Sequence, residues 1–212
     1  MIVQMYMTKD VQTVSPETSM HEAIAKMVRH KIRRLVVLST EGRIIGIVSE
    51  GDIAKNYPSN VNPFSAAGPE SIPGAKDVRG ILSKNVITIS QNQPLEEAAK
   101  VMADYHVGGL PVEHDNKLVG IITESDIFRA FVRILSSEEG TARITFGLSE
   151  NENILSFLIE LVKKHNVKLL SFLNYQSQGR NFGVAKISGR QIQGFVDELW
   201  DSGHSVENVL RK

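Results

Sequence analysis

Residues 13–53 and 88–127 of this chain say the same thing twice, and this duplication restricts the fold more than any other feature. Thr13-Val14-Ser15 opens one copy and Thr88-Ile89-Ser90 the other. Both close on Gly-apolar-apolar-Ser/Thr-x-x-Asp, at Gly46 to Asp52 and Gly120 to Asp126. The lead-ins match as well: Met7-Thr8-Lys9-Asp10-Val11 aligns with Leu82-Ser83-Lys84-Asn85-Val86. The offset is 75 positions up to Val37/Val112 and 74 beyond the hairpin, where a turn absorbs the lost residue. A tandem duplication of this kind folds as one pseudo-symmetric unit. Its two equivalent polar ends then meet at a shared cleft where a small ligand could sit.

Each copy predicts the same series of elements. A short extended lead, Val11 to Val14 in the first, precedes a helix. Met20, Ala23, Ile24 and Met27 recur at helical spacing, as do Leu95, Ala98, Ala99 and Met102. Ser19 with Glu22 reads as a capping box, and Pro94 suits a helix start. Two apolar strands follow, Leu35–Leu38 and Ile44–Val48 around Glu41-Gly42, then Leu110–Glu113 and Leu118–Ile122 around Asp115-Asn116. A second helix begins near Asp52 and near Asp126. The latter, Ile127 to Leu135, is apolar on much of its surface and is expected to pack against something.

The organisation expected is a first unit at 1–55, a linker at 56–76 with four of the seven prolines, a second unit at 77–135, a short break at 136–140 and a distinct tail at 141–212. The tail reads strand, helix, strand, strand, helix, strand. Its helices carry stripes of Ile154, Leu155, Leu158, Leu161 and Val162, and of Ile192, Phe195, Val196 and Leu199. Trp200 ends the second stripe and is expected in the core or a subunit contact. The βαββαβ order folds as a two-layer sandwich.

Composition narrows the function. Lys plus Arg and Asp plus Glu each number 24 in 212 residues, so the global charge favours neither nucleic acid nor an anionic membrane. With no cysteine, disulfides, thiolate catalysis and Cys-ligated zinc are excluded. The start, MIVQMYMTKD, is not a secretory signal, and no stretch approaches the ~20 apolar residues of a membrane span. A cytoplasmic protein is the default expectation. The six histidines are scattered, so no metal site is expected. No Walker A, Gly-x-Gly-x-x-Gly or Gly-x-Ser-x-Gly string occurs.

The chemistry therefore rests on the repeated motif. At Gly46 to Asp52 a strand ends, a hydroxyl follows, and three residues later a carboxylate sits at a helix start. A helix N-terminus stabilises an anion, Ser49 adds a hydrogen bond, and Asp52 can accept from a pair of ribose hydroxyls. Thr123 and Asp126 repeat this. The same spacing is also a helix cap, and duplication copies a cap as faithfully as a binding site. The copies differ at one place. Arg29, His30, Lys31, Arg33 and Arg34 stand where the second copy has Asp104, Tyr105, His106, Gly108 and Gly109. The cations either neutralise phosphate, which would make the two sites unequal, or complement a helix C-terminus.

The two copies together resemble a tandem CBS-domain pair, the Bateman module, over about residues 1–135. Leu110-Pro111-Val112 matches that family's second-strand motif, and Leu35-Val36-Val37 matches it without the proline. The resemblance implies an α+β fold, two CBS units packed about a pseudo-two-fold axis, with AMP, ADP, ATP or another adenosyl ligand between them and no cofactor required. It implies that Ser49 and Thr123 face phosphate or ribose and that Asp52 and Asp126 hold ribose hydroxyls. Thr13, Val14, Thr88 and Ile89, with Gly109, Leu110 and Pro111, would line the adenine pocket. Should the basic cluster of the first copy neutralise phosphate, Arg33 and Arg34, nearest the strand, are its candidates. The tail resembles a ferredoxin-like ACT domain, but the loop Leu148 to Asn153 lacks that family's glycine, which favours dimerisation or communication over amino-acid binding. The CBS–CBS–ACT order resembles the AcuB-type acetoin-utilisation proteins of bacteria. The reading is a regulatory adenosyl sensor, not an enzyme, assembled as a homodimer with an unnamed regulated partner. The alternative is an assembly module whose degenerate sites bind nothing.

Overall fold

The structure is a computed structural model and describes residues 1–56, 77–136, 138–149 and 153–212. The expected linker at 56–76 lies, apart from Asn56, outside the described residues. The chain divides into two units, Met1–Arg133 and Ile134–Lys212.

In the first unit each copy forms a three-stranded sheet. One is β1 (Thr13–Val14), β2 (Arg34–Leu38) and β3 (Ile44–Ser49); the other is β4 (Ile89–Ser90), β5 (Gly109–His114) and β6 (Lys117–Thr123). In both, the short lead strand runs parallel to the middle strand and the hairpin is antiparallel. A register shift recurs at the equivalent place, Val37/Leu38 and Val112/Glu113. At the second hairpin Asp115 and Asn116 both take positive φ, 50° and 60°, as a tight two-residue turn requires.

Helix α1 (Met20–His30) buries Met20, Ala23, Ile24 and Met27, and Ser19 Oγ accepts from the Glu22 N–H at 3.1 Å. Helix α3 (Leu95–Tyr105) buries Leu95, Ala98 and Met102 in the same way. Both helices end on a left-handed residue, Lys31 and His106, each with φ 53°. That twist turns the chain abruptly into the following strand. Helices α2 (Glu50–Lys55) and α4 (Glu124–Leu135) leave β3 and β6.

The cores reveal an exchange. The first contains Val14, Ile24, Leu35, Val37 and Val48, together with Val78 from the second copy's lead. The second contains Ile89, Leu110, Val112 and Ile122, together with Val3 from the first copy's lead. Val3 and Val78 are both fully buried, each in a short 3-10 turn. Each lead then pairs with the opposite sheet. Thr8 and Ile121 exchange two backbone hydrogen bonds of 2.9 Å, and Ser83 and Ile47 do so at 2.9 and 3.2 Å.

This crossing explains the glycine that heads the repeated motif. A Cβ on Gly120 would lie 2.5 Å from Met7 Sδ and 3.1 Å from the Thr8 carbonyl oxygen; one on Gly46 would lie 2.5 Å from Leu82 Cδ1. A side chain at Gly46 would displace Leu82, and one at Gly120 would displace Met7 and press on the backbone of the lead at Thr8.

In the second unit β7 (Thr141–Leu148), α5 (Ile154–Lys164), β8 (Lys168–Ser177), β9 (Arg180–Ser188), α6 (Ile192–Asp201) and β10 (Val206–Arg211) realise the βαββαβ order. The sheet is antiparallel in the order β10-β7-β9-β8, a split βαβ arrangement. Its core includes Ile144, Phe146, Leu158, Ala185, Ile187 and Phe195. Two apolar surfaces expected to pack against something lie exposed on the single chain. Trp200 is 60% exposed, because the packing stripe of α6 closes on Leu199 and the next residue turns away. On α4, Phe128 and Phe131 are also exposed, and only Ala130 and Asp126 are buried.

Candidate functional site

Two clefts lie in the first unit at equivalent places, and each takes residues from both copies. In the first, Ser49 and Asp52 at the β3–α2 junction face the second copy's lead, Ser83 to Ile87, and its helix–strand joint, His106 to Gly109. In the second, Thr123 and Asp126 at the β6–α4 junction face the first copy's lead, Thr8 to Gln12, and its joint, Lys31 to Arg34. The volumes are about 260 and 230 Å³.

The hydroxyl and carboxylate of each junction form a cap. The Ser49 N–H and Oγ–H donate to Asp52 Oδ2 at 2.8 and 2.6 Å, and the Asp52 N–H donates back to Ser49 Oγ at 3.2 Å. Thr123 and Asp126 repeat these bonds at 2.8, 2.6 and 3.4 Å. The capping geometry is thus real, and it consumes one carboxylate oxygen per site. The other oxygen differs between the sites. Asp52 Oδ1 has no partner among the described residues, whereas Asp126 Oδ1 is ion-paired with Arg129.

Arg34 lines both clefts. Its guanidinium crosses to the second copy and donates to the Gly108 carbonyl. A Cβ on Gly109 would collide with Arg34 Nη1, and one on Gly108 would lie 2.7 Å from Nη2. Arg34 and Gly109 are equivalent positions of the repeat, so here a single side chain occupies the space that two would contest. Burial, followed by the neighbouring Arg33, pushes the Arg34 guanidinium below its ordinary range; Glu124, Asp126 and Glu50 act in the opposite direction.

Of the residues singled out from the sequence, Arg34, Ser49, Asp52 and Gly109 line the first cleft and Arg33, Arg34, Thr123 and Asp126 the second. Thr13, Val14, Thr88, Ile89, Leu110 and Pro111 are not among the lining residues; Val14, Ile89 and Leu110 are buried in the cores. The lining leads, Thr8 to Gln12 and Ser83 to Ile87, lie just ahead of them. Their signal in the sequence was the aligned lead-in itself. Arg129 carried no repeat signal, because Lys55 stands at the equivalent position.

A comparison with protein-family models matches the CBS domain at residues 3–59 and 76–133, more than half of the chain. The chain belongs to the CBS-domain family. Its tandem pair is similar to the CBS domain pair of protein MJ0100 in complex with 5′-methylthioadenosine and S-adenosyl-L-methionine, at 30% identity and TM-score 0.53, covering 62% of this chain and 99% of that one. It is similar to CBSX2 in complex with AMP at 26% identity and TM-score 0.51, covering 63% and 97%. A Vibrio cholerae protein assigned to acetoin utilization, AcuB, shares the fold at 24% identity and TM-score 0.53, covering 64% and 94%. Among curated relatives the CBS match covers 61% of this chain yet spans only 23% of one relative and 47% of another. Those named as enzymes are matched only in their CBS part. Among the described residues no helix is long and apolar enough to cross a membrane.

Proposed function

We propose that the chain is a cytoplasmic regulatory sensor that binds an adenosyl compound, AMP, ADP, ATP or a relative of these, between its two CBS units. One observation carries the reading. Each cleft joins the hydroxyl–carboxylate end of one copy to the lead and helix–strand joint of the other, so a ligand in either cleft touches both copies. Such a ligand biases their relative arrangement by whatever it gains in one arrangement over the other. The adenosyl ligands of the related MJ0100 and CBSX2 pairs support the ligand class. In this reading Ser49 and Thr123 meet ribose or phosphate, and Asp52 and Asp126 accept from ribose hydroxyls.

The βαββαβ unit serves as an ACT-like element that relays the change. The assembly is a symmetric homodimer. The exposed Phe128, Phe131 and Val132 on one side of α4 supply an apolar face for a second copy. A link to acetoin metabolism rests on the AcuB resemblance, and the regulated target is a separate protein.

A second reading has one observation in its favour. Ser49 with Asp52, and Thr123 with Asp126, already satisfy one another as helix caps. A pair that binds nothing and serves in assembly would keep them. Thermal unfolding of the full chain with AMP, ADP, ATP, NAD and S-adenosylmethionine, each alone, separates the two. A ligand at 100 times its Kd adds about 2.7 kcal/mol to the folded state. No shift with any of the five at saturating concentration favours the assembly module. A shift that survives Asp52→Ala/Asp126→Ala removes these carboxylates from the grip.

A further inference from the structure

The two clefts share a backbone plan but differ in charge. Lys31, Arg33, Arg34 and Arg129 line the Thr123–Asp126 cleft against two carboxylates, Asp10 and Asp126. At the places equivalent to Lys31, Arg33, Arg34 and Asp10 the Ser49–Asp52 cleft has His106, Gly108, Gly109 and Asn85; Lys55, the equivalent of Arg129, is not among its lining residues, and Arg34 is the one arginine or lysine that lines it beside Asp52. Packing keeps the difference. Arg34 lies across Gly108 and Gly109, so a side chain at either would displace its guanidinium. The carboxylates differ in the complementary sense. Asp126 Oδ1 is tied to Arg129, whereas Asp52 Oδ1 has no partner among the described residues.

We propose that the clefts take adenosyl ligands of different charge. The Thr123–Asp126 cleft binds a phosphorylated adenosine, its phosphate held by Arg33 and Arg34, and the Ser49–Asp52 cleft binds an adenosyl group carrying no phosphate. The inference rests on the sensor reading above and assigns its ligand class cleft by cleft. A phosphate in the Ser49–Asp52 cleft meets a carboxylate and Arg34 alone, with no second arginine among the lining residues. The same phosphate in the other cleft meets Arg33, which is exposed and makes no side-chain bond among the described residues. A neutral adenosine gains nothing from the cations and needs only the open carboxylate.

Photolabelling of the full chain tests this, with 2-azido-AMP and 2-azidoadenosine as probes and the labelled peptides mapped by mass spectrometry. The leads identify the cleft, since Thr8 to Gln12 line one and Ser83 to Ile87 the other. The AMP probe is expected to label the Thr123–Asp126 cleft at least tenfold over its counterpart, and the adenosine probe to favour the Ser49–Asp52 cleft. Calorimetry on Arg33→Ala, a surface change that leaves both cores intact, is expected to lower AMP affinity about tenfold and leave adenosine affinity unchanged. Equal labelling of both clefts by 2-azido-AMP, or an AMP affinity indifferent to Arg33→Ala, overturns the charge assignment while the sensor reading stands. Failure of both probes to bind overturns this inference; the sensor reading falls with it only when none of the five ligands of the thermal test shifts unfolding either.

Discussion

Val3→Ala tests whether the leads are truly exchanged. Val3 is fully buried among Ile89, Leu95, Leu110 and Ile122, all of the second copy. The change deletes two methyl groups from a closed core. Their transfer alone is worth about 1.6 kcal/mol at about 0.8 per carbon. The cavity left behind raises the cost to about 2–3 kcal/mol, because well-packed neighbours relax only in part. Urea unfolding followed through the amide NMR signals of Leu110, Val112 and Ile122 measures it. The native-state shift changes are equally diagnostic. They are expected in β5, β6 and α3, more than 80 residues along the chain, with α1 and β2 little affected. Val78→Ala is expected to give the mirror image, with changes at Ile24, Leu35 and Val48. Shift changes from Val3→Ala confined to residues 1–38, or a cost below about 0.5 kcal/mol, would refute the exchange.

Gly109→Ala is expected to drive Arg34 off the Gly108 carbonyl and cost about 1–3 kcal/mol, the worth of a hydrogen bond from a charged donor; thermal melts of the single variants and of Gly109→Ala/Arg34→Ala should show the double variant less damaged than the sum of the singles. Ser49→Ala and Thr123→Val each remove a cap acceptor and should cost about 1 kcal/mol in chemical denaturation. In the second unit, hydrogen bonds from Lys164 and His165, at 2.8 and 2.7 Å, hold the Glu198 carboxyl below its ordinary value of 4.5. Its contribution is therefore complete above pH 4.5 and lost as pH falls through the lower folded-state value. Trp200 fluorescence should report an acid unfolding limb that Glu198→Gln flattens; an unchanged limb would remove this carboxylate from the acid response.

The helices and strands were legible because burial follows period. Met20, Ile24 and Met27 or Leu95, Ala98 and Met102 leave little choice of face. The caps at Ser49 and Thr123 were legible because hydroxyl and carboxylate meet through a local spacing of three. What could not be read was which core receives which lead. Val3 and Val78 are equivalent residues, and the two cores have the same composition pattern, so either assignment satisfies the sequence equally well. The contrast of arginines with glycines was visible at positions 33–34 and 108–109, but not that Arg34 lies against both glycines, since the contact spans 74 residues. Trp200 could be assigned only to a core or a subunit contact, because a helical stripe gives a direction and not the point where the facing sheet ends; its exposure removes the core.

The exchanged leads bear on how such a chain could arise. A single copy on its own lacks the residue that closes its core, because its lead is placed to close another's. It would have to take that lead from a second molecule, as in domain swapping. Joining two copies in one gene turns that intermolecular step into an intramolecular one, which raises the local concentration of the lead to the order of millimolar. A half-gene encoding residues 1–55 would therefore specify a protein whose folding depends on its own concentration, while the duplicated gene specifies one that folds at any dilution.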